Sequence, residues 1–350
     1  MAAQQYNTPT AARIGAVKGE ILAHAAPKEV LGITGEQKKL KKNESDTIKF
    51  RRWLPYGGAT TNANTINRWS VTAAAHVLSE GVTPNSDTLT AQDITVTIQQ
   101  YGCLYQITDK AFDLYEDDIA GAMRKQVGER MGLVREMVRY GETKAGTNVF
   151  YAGGTTRATV NARINLNVIR RATRNLRANH ADMVTGVLSP SQMVGTAPVE
   201  SAFLVFVHSD AEPDIRDLPG FKHVSEYGSR KTVHPMEVGS VETFRFIISP
   251  ELASYADAAT SVTASTYSLY TTTGTNPDVY PFIVAGEKAW AQVSMRSIDG
   301  LDLTWIPPGQ KDKNDPLGQR GYVGATHYHA VKITNQGWMA VIEAGVSVLT

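Results

Sequence analysis

The clearest pattern in the chain is a helical stripe. Ile119, Met123, Val127, Met131, Val134 and Val138 recur at steps of three or four, which places them on one face of a helix from about Asp118 to Lys144. Glu116, Asp117 and Asp118 stand at its start, where carboxylates favour the positive end of the helix dipole. Arg124, Lys125, Arg130, Arg135, Glu136 and Arg139 are assigned to the other faces. At 1.5 Å per residue such a helix runs about 40 Å, a strut rather than an ordinary globular helix. Met123, Met131 and Met137 read as core filler. A second helix is expected from Ile164 to about Asn179, buried through Ile164, Val168, Ile169, Ala172 and Leu176. Arg170, Arg174 and Arg177 then share one face, with Arg171 beside them. No acid falls between Arg157 and Ala181. That face meets either solvent, with counter-charges supplied from elsewhere in the fold, or phosphates or a neighbour's carboxylates.

Elsewhere the period is two. Ile48 and Phe50 alternate with Lys49 and Arg51, and Ile94, Val96 and Ile98 alternate with Thr95, Thr97 and Gln99. Past Gly102 the repeating set becomes Tyr101, Cys103, Tyr105 and Ile107, a one-residue slip that predicts a β-bulge beside the glycine. Between these runs Ala59 to Asn67 is small, polar and loop-like. A projecting two-stranded finger is marginally stable alone, so this one needs something to lie on. Strand-like runs at 202–207, 243–248 and 280–285 follow the second helix and predict a compact α+β lobe from about 160 to 300. Near the end, Val323, Ala325, His327, His329, Val331 and Ile333 share a strand face. Asn335-Gln336-Gly337 predicts a hairpin turn, and Trp338, Ala340, Ile342 and Ala344 alternate on the return strand.

Composition changes this picture in three ways. The 350 residues exceed what one core usually serves. The balance of 35 Lys+Arg against 34 Asp+Glu excludes a globally basic nucleic-acid binder, yet up to Arg52 there are ten Lys/Arg and five Asp/Glu. That excess includes Lys38, Lys39, Lys41 and Lys42. It reads as a solvated mobile terminus, or as an arm that orders against a neighbouring subunit or a polyanion. Ile14, Val17, Ile21 and Leu22 suggest a weak helix within that segment. A single cysteine, Cys103, removes intrachain disulfides and multi-Cys metal sites. No run of about 18 apolar residues predicts a membrane span, and the start of the chain lacks the apolar core of a secretory signal.

Candidate chemistry is sparse. His327 and His329 form an H-x-H pair, but no H-E-x-x-H, C-x-x-C or paired-carboxylate motif accompanies it. They read as strand histidines rather than ligands. Asp312, Asn314 and Asp315 lack the glycine and glutamate of a calcium loop. No nucleophile elbow, phosphate loop or dinucleotide fingerprint occurs. The reading is a protein that is not an enzyme and carries no cofactor or metal.

Three segments carry a resemblance. Asp315-Pro-Leu-Gly-Gln-Arg-Gly-Tyr-Val-Gly324 is followed by Trp338-Met-Ala-Val-Ile-Glu343. Met236 to Ile247 continues into Ser249-Pro250, and Tyr280-Pro-Phe-Ile-Val-Ala-Gly286 into Ala289. In this order they resemble the major capsid protein family of tailed bacteriophages, most of all its N-four-like podovirus group. The resemblance implies an α+β Hong Kong phage-type coat fold. Its parts would be an N-terminal arm over 1–44, an extended β loop over 45–110 and a peripheral domain with the spine helix over 111–160. An axial domain would span 161–300, and a C-terminal hairpin over 301–350 would complete the peripheral domain. It further implies a subunit of an icosahedral shell around double-stranded DNA, made in the host cytoplasm and resident in the virion. Its partners would be copies of itself, scaffolding, portal and decoration proteins, and packaged DNA bound non-specifically, with no membrane. An encapsulin-like compartment is the alternative. In that frame Arg51, Arg52, Trp53 and Trp69 are subunit-contact candidates. Lys38, Lys39, Lys41, Lys42, Arg170, Arg174 and Arg177 are DNA-facing candidates.

Overall fold

In the computed structural model the strut is a single helix, Ile119–Thr143. The residues described are 29–41, 45–56, 68–69, 71–84, 86–114, 118–184, 201–227, 232–295, 301–311 and 313–349. The Asp118 carboxylate accepts the Gly121 N–H at 2.8 Å and caps the first turn. Glu116 and Asp117 lie outside the described residues. Met123, Val127 and Met131 are buried against Ile107, Val323 and Ala325 of the sheet beneath. Farther along, the buried set becomes Glu136, Arg139, Tyr140 and Thr143, while Val134 and Val138 are half-buried. This corrects the assignment of Glu136 and Arg139 to outer faces. The second half of the helix is enclosed by two sheets instead of one, so a wider arc of it leaves water, charges included.

The first of those sheets is built on the 14-residue strand Arg320–Ile333. Gln99–Thr108 pairs antiparallel along one edge. Asp302–Ile306 and Trp290–Met295 share the other edge, and Glu36–Leu40 adds a parallel outer strand beside Trp290–Met295. The second sheet runs Val149–Tyr151, Met339–Ala344, Tyr280–Ala285, Phe203–His208, Phe244–Ser249, Glu237–Val241, Lys222–His223. Helix Leu166–Ala178, capped by Asn165, buries Val168, Ile169, Ala172 and Leu176 on one face of it. On the opposite face Leu204, Phe206, Ile283 and Val341 join Tyr140 of the spine helix and Trp290, Val331 and Ile333 of the first sheet. One apolar core thus ties the two sheets together.

Three expectations change. Strands 320–333 and 339–344 do not form a hairpin. A 3-10 turn, Gln336–Trp338, carries the chain from the five-stranded into the seven-stranded sheet. Met339–Ala344 is buried on both faces, which a half-exposed hairpin arm could not be. No bulge sits at Gly102, which pairs in register with Thr326. The phase slip occurs at Ile98, where Thr47–Trp53 and Ala91–Thr97 end as a two-stranded finger and the chain enters the larger sheet. The Ile98 N–H donates to the Asp46 carbonyl at that passage. Finally, Trp290–Met295 falls within the span expected for the axial lobe but belongs to the five-stranded sheet, because its buried face matches that of strand 320–333.

Candidate functional site

The finger is rooted by Ile48, Phe50 and Val96, which pack on Leu40, Val293 and Ala330 of the five-stranded sheet. Alternation then fixes the two sides of its strand. Arg51 and Trp53 point outward and Arg52 inward. Arg51 lies directly opposite Asp93 and holds it bidentately, Nε to Oδ1 at 2.7 Å and Nη2 to Oδ2 at 2.8 Å. That hydrogen-bonded pairing holds the Asp93 carboxyl below its usual range and raises the Arg51 guanidinium. Arg52 is half-buried opposite Gln92 and donates to its side-chain oxygen, and burial lowers its pKa. Trp53 is 58% exposed and Trp69 62%. No ring contact joins the two among the described residues, whereas Tyr56 meets His76 edge-on at 5.9 Å. Between Trp69 and Leu89 the described residues form one short 3-10 turn, Ala73–His76. Val71, Val77, Leu78, Val82 and Leu89 there are between 56 and 80% exposed. Ala59 to Asn67 and the weak helix expected near Ile14 lie outside the described residues.

An apolar surface of this extent is unusual on a solitary soluble chain. Each such side chain taken out of water contributes about 1.5–3 kcal/mol. Among the described residues nothing buries these side chains.

The basic candidates fall in two places. Lys38 and Lys39 are exposed on edge strand Glu36–Leu40, with Lys38 Nζ 2.6 Å from Glu36, and exposed Lys41 follows. Lys42 lies outside the described residues. Arg170, Arg174 and Arg177 line the outer face of helix Leu166–Ala178. Arg170 is paired with Glu242 at 2.7 Å, and Arg171 stands over the Phe150 ring. The two groups belong to different sheets and do not form one patch.

A buried polar cluster under the spine helix escaped the sequence reading. Glu136, fully buried, accepts the N–H groups of Val30 and Leu31 through Oε1, both at 2.8 Å. Its Oε2 meets Arg139, which also reaches Glu29 at 3.2 Å and donates Nε to Gln292. Beside them His327 and His329 are buried and stacked, with centroids 5.6 Å apart. The His329 pKa is pushed down to about 3, by burial first and then by Arg139, His327 and Arg135. It is a neutral structural side chain at ordinary pH. Among the described residues no three His, Cys, Asp or Glu side chains are grouped to hold a metal ion. Cys103 faces the spine helix with its sulfur 3.9 Å from the Val127 carbonyl, and burial raises its thiol pKa. Asp315 accepts the Arg320 N–H at 2.8 Å, while Asp312 lies outside the described residues. Among those residues no helix is long and apolar enough to cross a membrane.

Comparison with known proteins gives three concordant results. A family profile described as phage capsid protein matches residues 90–341. The major capsid protein of Pseudomonas phage KPP21 is 19% identical over 266 residues, which cover 70% of this chain and 66%, just under two thirds, of that protein. Among solved structures, the capsid of Ralstonia phage GP4 has a TM-score of 0.66 at 12% identity, covering 100% of this chain and 99% of that one. The head structure of Helicobacter pylori bacteriophage KHP40 has a TM-score of 0.58 at 12% identity, covering 97% and 96%.

Proposed function

Because the chain belongs to the phage capsid protein family and has the fold of its structural neighbours, we propose that it is the repeating subunit of an icosahedral shell around a double-stranded DNA genome. Its role is structural rather than enzymatic. The observation that carries the reading is the finger. Trp53, Trp69, Val77, Leu78 and Leu89 are all more than half exposed, with no described residue of their own chain covering them. In a closed shell every copy has a neighbour at the same place, so one such contact is repeated around the whole particle. The finger lies over an adjacent subunit. Arg51 flanks the same contact, whereas Arg52, turned inward and half-buried against Gln92, supports the strand from behind rather than meeting a neighbour.

Contact with the genome is non-specific. Lysines and arginines neutralise phosphate without reading bases, and such binding weakens steeply with salt. Exposed Lys38, Lys39 and Lys41 form one candidate surface, Lys42 being a candidate from the sequence alone, and Arg170, Arg174 and Arg177 form the other. Scaffolding, portal and decoration proteins complete the particle, and the subunit is made in the host cytoplasm before entering the virion. The family match gives no support to the encapsulin-like alternative.

Electron microscopy of the purified full chain tests the reading, with a variant lacking Tyr56 to Asn67 beside it. Closed particles are expected from the full chain. Folded subunits that assemble poorly are expected from the variant. Dispersed single molecules from the full chain, or normal shells from the variant, would refute it.

A further inference from the structure

Residues 29–40 cross the spine helix and end as an edge strand, and they are fastened at three points. Glu136 takes two consecutive backbone N–H groups, those of Val30 and Leu31. Glu29 returns a carboxylate to Arg135 and Arg139, so that two arginines face two carboxylates there. The indole N–H of buried Trp290 then donates to Thr34 Oγ1 at 3.2 Å. At Gly35 the backbone has φ +92°, and a Cβ there would lie 2.8 Å from the Trp290 ring, so only glycine passes this point.

What this segment covers is the edge of strand Trp290–Met295, whose first five residues are buried. Without it, a flat strand edge rich in apolar side chains would offer free N–H and C=O groups to any other chain. Such edges template unwanted pairing, and proteins blunt them with short strands bearing lysine. The covering strand is five residues long, has no further strand on its outer side among the described residues, and carries exposed Lys38 and Lys39. We infer that residues 29–40 are a guard strap, locked by Glu136, which closes the edge of strand 290–295 against wrong β-pairing between subunits. A protein held at high local concentration during assembly has most need of such a guard. The strap itself stands whether or not the shell reading does. The shell reading enters only in the form of the aggregates expected.

Hydrogen exchange read by mass spectrometry on the full-length Glu136→Gln variant tests the lock, with Glu343→Gln as the control. Glu343 is also fully buried and paired with an arginine, Arg157, but it lies in the other sheet. Exchange at residues 30–40 is expected to quicken about 100-fold in Glu136→Gln, because the amide oxygen can still accept the two N–H groups but without the charge that strengthens both bonds and the pairing with Arg139. The rest of the sheet should keep its protection, and Glu343→Gln should leave the strap closed. Unchanged exchange at 30–40, or equal loss throughout the sheet, would overturn the lock. The double variant Lys38→Val, Lys39→Val tests the guard even if Glu136→Gln fails to fold. Its strap should stay protected while electron micrographs show irregular edge-joined aggregates in place of the wild-type species. Particles indistinguishable from wild type would overturn the guard, as would the same aggregates from Glu343→Gln.

Discussion

At the scale of single residues, burial decides what a side chain does more than its type. His329 is an imidazole kept neutral because it is fully buried beside Arg139 and Arg135, with its pKa pushed down to about 3. Its folded value lies below the ordinary value near 6.5, so the unfolded chain binds the proton more readily. The stability this residue preserves is complete above about pH 6.5 and is lost as pH falls toward 3. Between pH 7 and pH 5 the expected loss is about 2 kcal/mol from this group. Urea titrations at the two pH values measure it, and His329→Gln should remove that increment. An unchanged difference in the variant would assign the pH dependence elsewhere. Glu136 and Arg139 show why this cluster could not be read in the sequence. The N–H groups that satisfy Glu136 stand 105 and 106 positions away, and a charge on a helix otherwise defaults to a solvent face. Cys103, by contrast, was legible, because its place in the alternation of Tyr101, Tyr105 and Ile107 puts it on the inward face.

At the scale of elements, periodic signals were legible and sheet membership was not. The spine helix was found within a residue or two at each end because its stripe and its acidic start are local. Met131 fills the centre of that stripe with no exposed surface, so Met131→Ala should cost about 2–5 kcal/mol. Asp118→Ala, which removes only the cap, should cost about 1 kcal/mol. Denaturant midpoints of the two variants check that order, and a larger loss at the cap would contradict it. The turn Asn335-Gln336-Gly337 misled because its chemistry suits a hairpin. The Asn335 side chain does accept the Gly337 N–H, but the next strand finds its partners in Tyr280–Ala285 and Val149–Tyr151. Those partners are fixed by burial on both faces, information that no turn contains. At Gly102 the local signal misled similarly. A Cβ at the glycine would lie in tight contact, 3.2 Å, with the Ala325 carbonyl, and the slip belongs to the point where the chain changes sheets.

At the scale of the whole molecule, the charged and apolar surfaces have different tasks in the proposed shell. If the Arg170, Arg174 and Arg177 face meets packaged DNA, changing all three to Gln should flatten the dependence of log affinity on log salt by about two to three units. Filter binding across a salt series reads that slope directly, and an unaltered slope would move the genome contact to the strap lysines or elsewhere. The finger asks for a protein partner instead. Its root is held by Ile48, Phe50 and Val96, but Trp69, Val71, Val77, Leu78, Val82 and Leu89 are each more than half exposed. Family membership was legible from the three quoted segments, whereas the exposure of this stretch emerged only from the fold.

The most direct measurement compares amide exchange over residues 68–90 in dilute subunits and in assembled particles. Protection there should be slight in the free subunit and rise at least about tenfold on assembly, while the spine helix exchanges slowly in both. Equal rates over 68–90 in the two states would contradict the claim that a neighbouring copy supplies the finger's missing support.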